Sequence, residues 1–269
     1  MSSELAGHAL AVAREAAAFV RDRATREVTV AATKSSDVDV VTQTDRDSES
    51  LIRRRLAERR PGDGILGEEG DDVESSTGVR WIVDPIDGTV NFLYGLGSYA
   101  VSIAAERDGE VVAGAVVDVP AGTEYVGHLA DVDGEASATR DGVPIGVRAP
   151  EPLSRRLVAT GFSYDRAVRV RQAEALVRLI PLIRDIRRIG SCALDLCRVA
   201  EGTLDGYVEE GINLWDHAAA GLIARIAGAR TSVTRGAGGT ELLMCAPAHG
   251  FDEFRAAVEE AGFASVPGE

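Results

Sequence analysis

Along the first two dozen residues the apolar positions step at helical spacing. Leu5, Ala9, Val12, Ala16 and Val20 fall near one face, which predicts an amphipathic helix. "EVTVAAT" (27–33) then alternates as a strand does, and "KSSDVDVVTQTD" (34–45) reads as a polar, turn-rich connection. A second helix is predicted from about Asp45 to Arg59, with Thr44 and Asp47 as a capping-box-like pair and Pro61-Gly62 as the stop. "GILGEEG" (64–70) and "RWIVD" (80–84) have the apolar runs of short buried strands, separated by the polar "DDVESSTG". "YAVSIAAERDGEVVAGAVVDV" (99–119) is two apolar runs folded at Asp108-Gly109, a hairpin signal. "TEYVGHL" and "GVPIGV" continue the strands to about residue 148.

Past "APEPLS" the pattern changes to alternating strand and helix. "RLVAT" (156–160), "IRRI" (186–189) and "LDGYVEE" (204–210) read as strands. Helices are predicted over 166–180, 191–201 and from about Leu214 to Ala227. A strand pair near 231–245 and a helix at 249–261 finish the chain. A strand-rich first half and an α/β second half predict two sheets with helical layers. The Pro-containing stretch at 149–152 is the expected seam between an N-terminal subdomain, 1–148, and a C-terminal one, 149–269. Neither a repeat nor a low-complexity segment interrupts the pattern.

Composition narrows what such a fold can do. The 269 residues carry 43 acidic and 29 basic side chains, a formal charge of −14. That sign argues against nucleic acid or an anionic membrane as direct partners, since both reward Lys and Arg surfaces. No run approaches the roughly 18–20 apolar residues of a membrane span, and the charged N-terminus is not a leader peptide. Cys192, Cys197 and Cys245 are odd in number and lack CxxC spacing, as expected of buried reduced thiols in a cytoplasmic protein.

The chemistry concentrates at "WIVDPIDGTVNF" (81–92), where an apolar strand ends in two aspartates three positions apart. Buried carboxylates beside Trp81, Ile82 and Val83 need a positive partner. Pro85 fixes φ, Gly88 permits close approach, and Thr89 opens a short helix, "TVNFLYG", whose first amides favour anions. Divalent cations and a phosphate together answer that pattern. An Asp-Pro or Asp-Gly pair alone is commonly a turn, and neither the EF-hand nor the DxDxT phosphatase spacing matches. Glu68 and Glu69 end another apolar run, Asp45 sits at a helix start, and Asp216 follows Trp215 at a third helix start. Each of these has a plain capping or loop reading of its own. His8, His128, His217 and His249 are scattered, with His217 read as a helix-surface neighbour of Asp216.

With "KSSDVDVVTQTD", "GEE" (67–69), "WIVDPIDGTVNF" and "GSCALDLCRVAEGTLDGYVEEGINLWDHAAAG" (190–221) in order, nearly the whole chain resembles the inositol monophosphatases, Mg²⁺-dependent, lithium-sensitive phosphomonoesterases. The resemblance implies an αβαβα sandwich, of the type shared with the fructose-1,6-bisphosphatases, and a homodimer. It implies two or three Mg²⁺ ions. Glu68, Asp84 and the Ile86 carbonyl hold the first, Asp84 bridges to a second completed by Asp87 and Asp216, and Glu68 with waters holds a weaker third. Thr89 and Asp45 orient and deprotonate the attacking water, with Lys34 nearby on its loop. The amides of Gly88 and Thr89 receive the phosphate. Gly190, Ser191, Glu209 and Asp87 lie beside the inositol hydroxyls, with Asp216 also at the substrate. Cys192 stands where relatives commonly have Ala, and no binding role is carried to Ser163.

The expected reaction is hydrolysis of inositol-1-phosphate or a similar polyol monophosphate by a metal-activated water. Fructose-1,6-bisphosphate, histidinol phosphate and 3′-phosphoadenosine 5′-phosphate are the alternative substrates, those of sister groups. A regulatory role in a transcription complex is the alternative of another class, acting through protein partners.

Overall fold

The computed structural model describes residues 1–25, 30–33, 40–132 and 134–265. Lys34 and the first half of the polar connection, residues 34–39, lie outside the described residues. Helix α1 (Ser2–Ala24) is followed by a two-stranded ribbon, β1 (Val30–Thr33) and β2 (Val40–Thr42), and by α2 (Gln43–Arg59). Strands β3 (Gly64–Gly67) and β4 (Val79–Asp87) lead to the short α3 (Thr89–Leu93). After it come β5 (Ala100–Arg107), β6 (Glu110–Asp118), β7 (Glu124–His128), β8 (Ser137–Arg140) and β9 (Val143–Pro144). The rest alternates: β10 (Leu157–Thr160), α4 (Arg166–Leu179), β11 (Asp185–Arg187), α5 (Cys192–Ala200), β12 (Gly206–Glu210), α6 (Leu214–Ile226), β13 (Ala229–Arg235), β14 (Glu241–Pro247) and α7 (Phe251–Ala261).

Strands β3 to β9 form one seven-stranded sheet in sequence order, antiparallel except for the parallel β3–β4 pair. The second sheet has the order β11-β10-β12-β14-β13 and mixes parallel and antiparallel pairs. Period-two alternation sorts the side chains into three cores. On β4, Trp81 and Val83 pack towards α1 and α2, while Ile82 faces the opposite way, onto α5 and α6. On the second sheet Ala159, Tyr207, Leu243 and Cys245 face those same two helices; Val158, Val208, Leu242 and Met244 face α4 and α7. The result is the expected αβαβα layering. Helices α5 and α6, although from the second half of the sequence, are the shared middle layer between the sheets.

The structure moves several predicted boundaries. Helix α2 begins two residues early: its cap is Thr42, whose hydroxyl and amide both meet Asp45, the capping-box acid, rather than the predicted Thr44 and Asp47. Asp47 instead accepts from Gln43 on the helix surface at 2.8 Å. Strand β4 runs on to Asp87, because a bulge between Asp84 and Asp87 lets Pro85 sit in the strand without breaking the pairing to β5. "GVPIGV" pairs only at Val143–Pro144, and "IRRI" shifts to Asp185–Arg187. His217, beside Asp216 on α6, is half-buried; burial, with Arg225 close by, pushes its pKa down to about 4.

Candidate active site

The parallel register that sets Gly67 beside Val83 brings the ends of β3 and β4 together, so Glu68 and Asp84 emerge at one sheet edge. The chain turns at Gly88, where φ is +99°, and a Cβ there would lie 3.0 Å from the Gly190 and Ser98 carbonyls. Glycine is therefore required on both counts. The following helix α3 is pinned by Phe92, which meets Tyr99 edge-on at a ring distance of 5.3 Å. Asn91 ties the same turn to the start of α5 by donating to the Ser98 and Ile189 carbonyls at 2.7 and 2.8 Å.

These elements open onto a cavity of about 400 Å³. Among the predicted residues Glu68, Asp84, Ile86, Asp87, Gly88 and Thr89 line it from the first sheet, and Gly190, Glu209 and Asp216 from the second half. Asp45 and Ser191 stand one bond behind. Thr89 Oγ1 lies 3.0 Å from Asp45 Oδ1 and 3.1 Å from the Ile86 carbonyl, and Ser191 Oγ donates to Asp87 Oδ2. The structure thus gathers every predicted site residue among those it describes. It adds Phe162, Ser163, Tyr164 and Arg188 at the rim, with Cys192 and Trp215 on the walls.

Each acid is held by a local cause. Asp87 sits over the start of α5 and accepts from the Ala193 amide at 2.7 Å and the Cys192 amide at 3.2 Å. Asp216 is the capping-box acid of α6, accepting from the Asn213 amide at 2.6 Å. Glu209 accepts from the Tyr207 hydroxyl. Asp84 accepts from the Ile86 amide at 3.0 Å, which closes the bulge.

The charges are poorly compensated by protein alone. Burial pushes Asp84 well above the usual carboxylate range, and Glu68, Asp87, Asp216 and Asp45 push it further. Asp216 rises well above for the same reasons, burial first and then Glu68 and Asp87. Burial also raises Asp87, to about 6, against the pull of Ser191, the two amides and Arg188. Burial raises Glu209 as well, opposed by Tyr207 and Arg188. Such a set demands external positive charge. Among the described residues no three His, Cys, Asp or Glu side chains converge into a ready-made cage for one ion. A hard cation that keeps its waters and shares one or two carboxylates with a substrate phosphate needs no such cage. The donor set is all oxygen, and it suits Mg²⁺.

Sequence reasoning passed over Arg188, Asn91 and Glu49. The first two carry no pattern that marks them. Glu49 could have been found, because it falls with Asp45, Ser48, Ile52 and Leu56 on the buried stripe of α2, where an acid needs a reason.

Layered sheets around an acid-lined pocket define an α/β sandwich whose site suits cations and a phosphate. The family model for the inositol monophosphatase family matches residues 1–257. The chain is 48% identical over 270 residues to the inositol-1-monophosphatase SuhB of Mycobacterium tuberculosis, covering 92% of this chain and 91% of that protein. It is 34% identical to a Vibrio cholerae protein called Nus factor SuhB, over 88% of this chain and 86% of the other. The solved structure of Mycobacterium tuberculosis SuhB superposes with a TM-score of 0.82 at 44% identity, covering 98% of this chain and 99% of that one. The chain belongs to the inositol monophosphatase family.

Proposed function

We propose that this phosphatase hydrolyses inositol-1-phosphate, or a closely similar polyol monophosphate, to the free alcohol and phosphate with Mg²⁺ as cofactor. The observation that carries the reading is that Glu68, Asp84, Asp87 and Asp216 all line one cavity beside the Gly88–Thr89 turn. Glu68, Asp84 and the Ile86 carbonyl would hold one ion, Asp84, Asp87 and Asp216 would hold a second, and Glu68 with waters would hold a weaker third. Bound Mg²⁺ supplies neutralisation of the carboxylates and the phosphate and acidifies the attacking water.

The chain's own residues do the rest. Thr89 Oγ1, its hydrogen directed to Asp45 Oδ1, offers a lone pair to orient the water, and Asp45 draws off the proton. The amides of Gly88 and Thr89 hold the phosphate oxygens at the start of α3. Glu209 and Asp87 accept from ring hydroxyls, Gly190 lies beside them, and Ser191 supports Asp87 from behind. In-line transfer of this kind needs positioning and charge more than a covalent residue.

Residues 1–148 and 149–269 act as two subdomains in this reading, the second bringing Asp216 to ligands held by the first. Lithium, competing for a Mg²⁺ position, is the expected inhibitor. A homodimer is supported by the exposed Val170 and Val177 of α4, with Ile180 and Leu182 exposed in the turn just beyond it. A cytoplasmic location is supported by the three free, buried cysteines. No helix among the described residues is long and apolar enough to cross a membrane.

A kinetic panel of inositol-1-phosphate, fructose-1,6-bisphosphate, histidinol phosphate and 3′-phosphoadenosine 5′-phosphate tests the substrate. Inositol-1-phosphate should have the highest kcat/KM, and its ranking last overturns the assignment. The Vibrio cholerae relative called Nus factor SuhB favours one second reading, a regulatory role through protein partners. Asp84→Asn separates the two: a cellular function that survives in this variant belongs to the regulatory role.

A further inference from the structure

The acids of the pocket are placed by backbone elements, and Glu68 stands just past the end of one of them, β3. Strand β3 ends at Gly67, one residue before it, and the chain next pairs at Val73, which exchanges two hydrogen bonds of 2.9 Å with Ile65. Between those points the backbone passes over the buried face of α2. Glu49, only 2% exposed there, accepts from the Glu69 amide at 2.7 Å through one carboxylate oxygen and from Arg53 Nε at 2.7 Å through the other. Arg53 extends the grip, donating through Nη2 to the Gly70 carbonyl at 3.0 Å and through Nη1 to the Asp71 carbonyl at 2.9 Å.

Packing around this pair is close. A Cβ on Gly67 would stand 2.5 Å from Glu49 Oε1 and 2.8 Å from Arg53 Nη2; one on Gly70 would stand 3.0 Å from the same carboxylate oxygen. Glu68 is therefore flanked by two glycines that let the chain wrap directly onto an ion pair. The same face of α2 presents Asp45 to Thr89, and Ser48 Oγ lies 3.5 Å from the Pro85 carbonyl in the bulge. One helix face thus reaches the Asp45–Thr89 pair, the bulge of Asp84, and the loop of Glu68.

We propose that Glu49 and Arg53 are positioning residues for the cation held by Glu68. They set metal affinity by fixing the backbone that follows that ligand, residues 69–71, without touching the ion or the substrate. The inference rests on the reading of Glu68 as a metal ligand. A buried, charge-assisted pair is suited to the task because its bonds are short and directional, and because removal of either partner leaves the other uncompensated. Partners behind a ligand typically alter metal affinity by about 10–100-fold.

The test is isothermal titration of Mg²⁺, and of Mn²⁺ as a probe, into the substrate-free full chain. Glu49→Ala should raise the Kd by about 10–100-fold, and Arg53→Met should raise it by less, since the Glu69 amide keeps its acceptor. Glu49→Gln, which also keeps that acceptor, should fall between Glu49→Ala and the parent. At saturating metal each should recover kcat to within several-fold, a split that a general loosening of the fold does not produce. If Glu49→Ala does not fold, Arg53→Met, whose side chain is partly exposed, carries the test. Unchanged Kd values in folded variants with lowered Tm overturn the proposal and leave the pair a structural brace. Failure of the parent chain to bind either ion overturns the metal reading, and the proposal with it.

Discussion

Asp84 is buried among four other acids, and its charged form is disfavoured in the metal-free chain. Replacing it with Asn keeps the shape and removes the charge, so two quantities should move in opposite directions. Turnover should fall by more than about 100-fold, because the bridging ligand is lost. The Tm of the metal-free protein should hold or rise, because a repelled buried charge is gone. A variant that loses activity together with several degrees of Tm would make Asp84 a structural residue. This site was legible in the sequence because apolar runs ended abruptly in acids, at Glu68 and again at Asp84. The hydrogen-bond partner of each acid was not legible. Asp45 serves at once as capping-box acid for Thr42 and acceptor for Thr89, and only the fold brings Thr89 to it.

At the level of elements, the start of α2 ties a stability term to a catalytic one. Thr42→Ala removes the cap and one partner of the Asp45 carboxylate. It should destabilise the protein by about 1 kcal/mol, measured by urea unfolding, and should lower kcat more than it raises KM. A loss of stability with unchanged kcat would mean that the Thr42 amide and Thr89 hold Asp45 in place without the Thr42 hydroxyl. Periodicity found the helices and the central strands, because their apolar positions face cores on known sides. It missed the extension of β4 to Asp87, since a proline ordinarily ends a strand and only the bulge accommodates it. It also placed the cap of α2 two residues late, because Thr42 and Thr44 are equally good cap residues and the choice is made by Asp45 turning inwards.

For the whole molecule, the hydrophobic pattern predicts two sheets, while the helical layer shared between them follows only from the family resemblance and not from the pattern of any one element. Nothing in the local pattern of α6 says that it packs on the first sheet as well as the second. Buried acids on that layer and on β4 make the metal-free fold sensitive to pH. Asp87 is raised to about 6 and Asp195, mainly by burial, to about 7, both above the unfolded value of 3.8. Each thus contributes stability that is present at low pH and lost as pH rises through its folded value. Metal-free protein should lose Tm between pH 5 and 8, and saturating Mg²⁺ should restore most of it at pH 8; calorimetric scans with and without chelator measure both. A Tm that rises over that range without metal counters the account. The exposed stripe of α4 makes a separate prediction: Val177→Glu should shift the proposed dimer to monomer in sedimentation, with the metal-free Tm nearly unchanged.

The measurement that bears most directly on the central claim is phosphate release from inositol-1-phosphate by the intact chain, titrated with Mg²⁺ after exhaustive chelation. Turnover should be absent in chelator, rise with Mg²⁺ to saturation, and be suppressed by added Li⁺. Hydrolysis that proceeds undiminished in excess chelator would contradict the account.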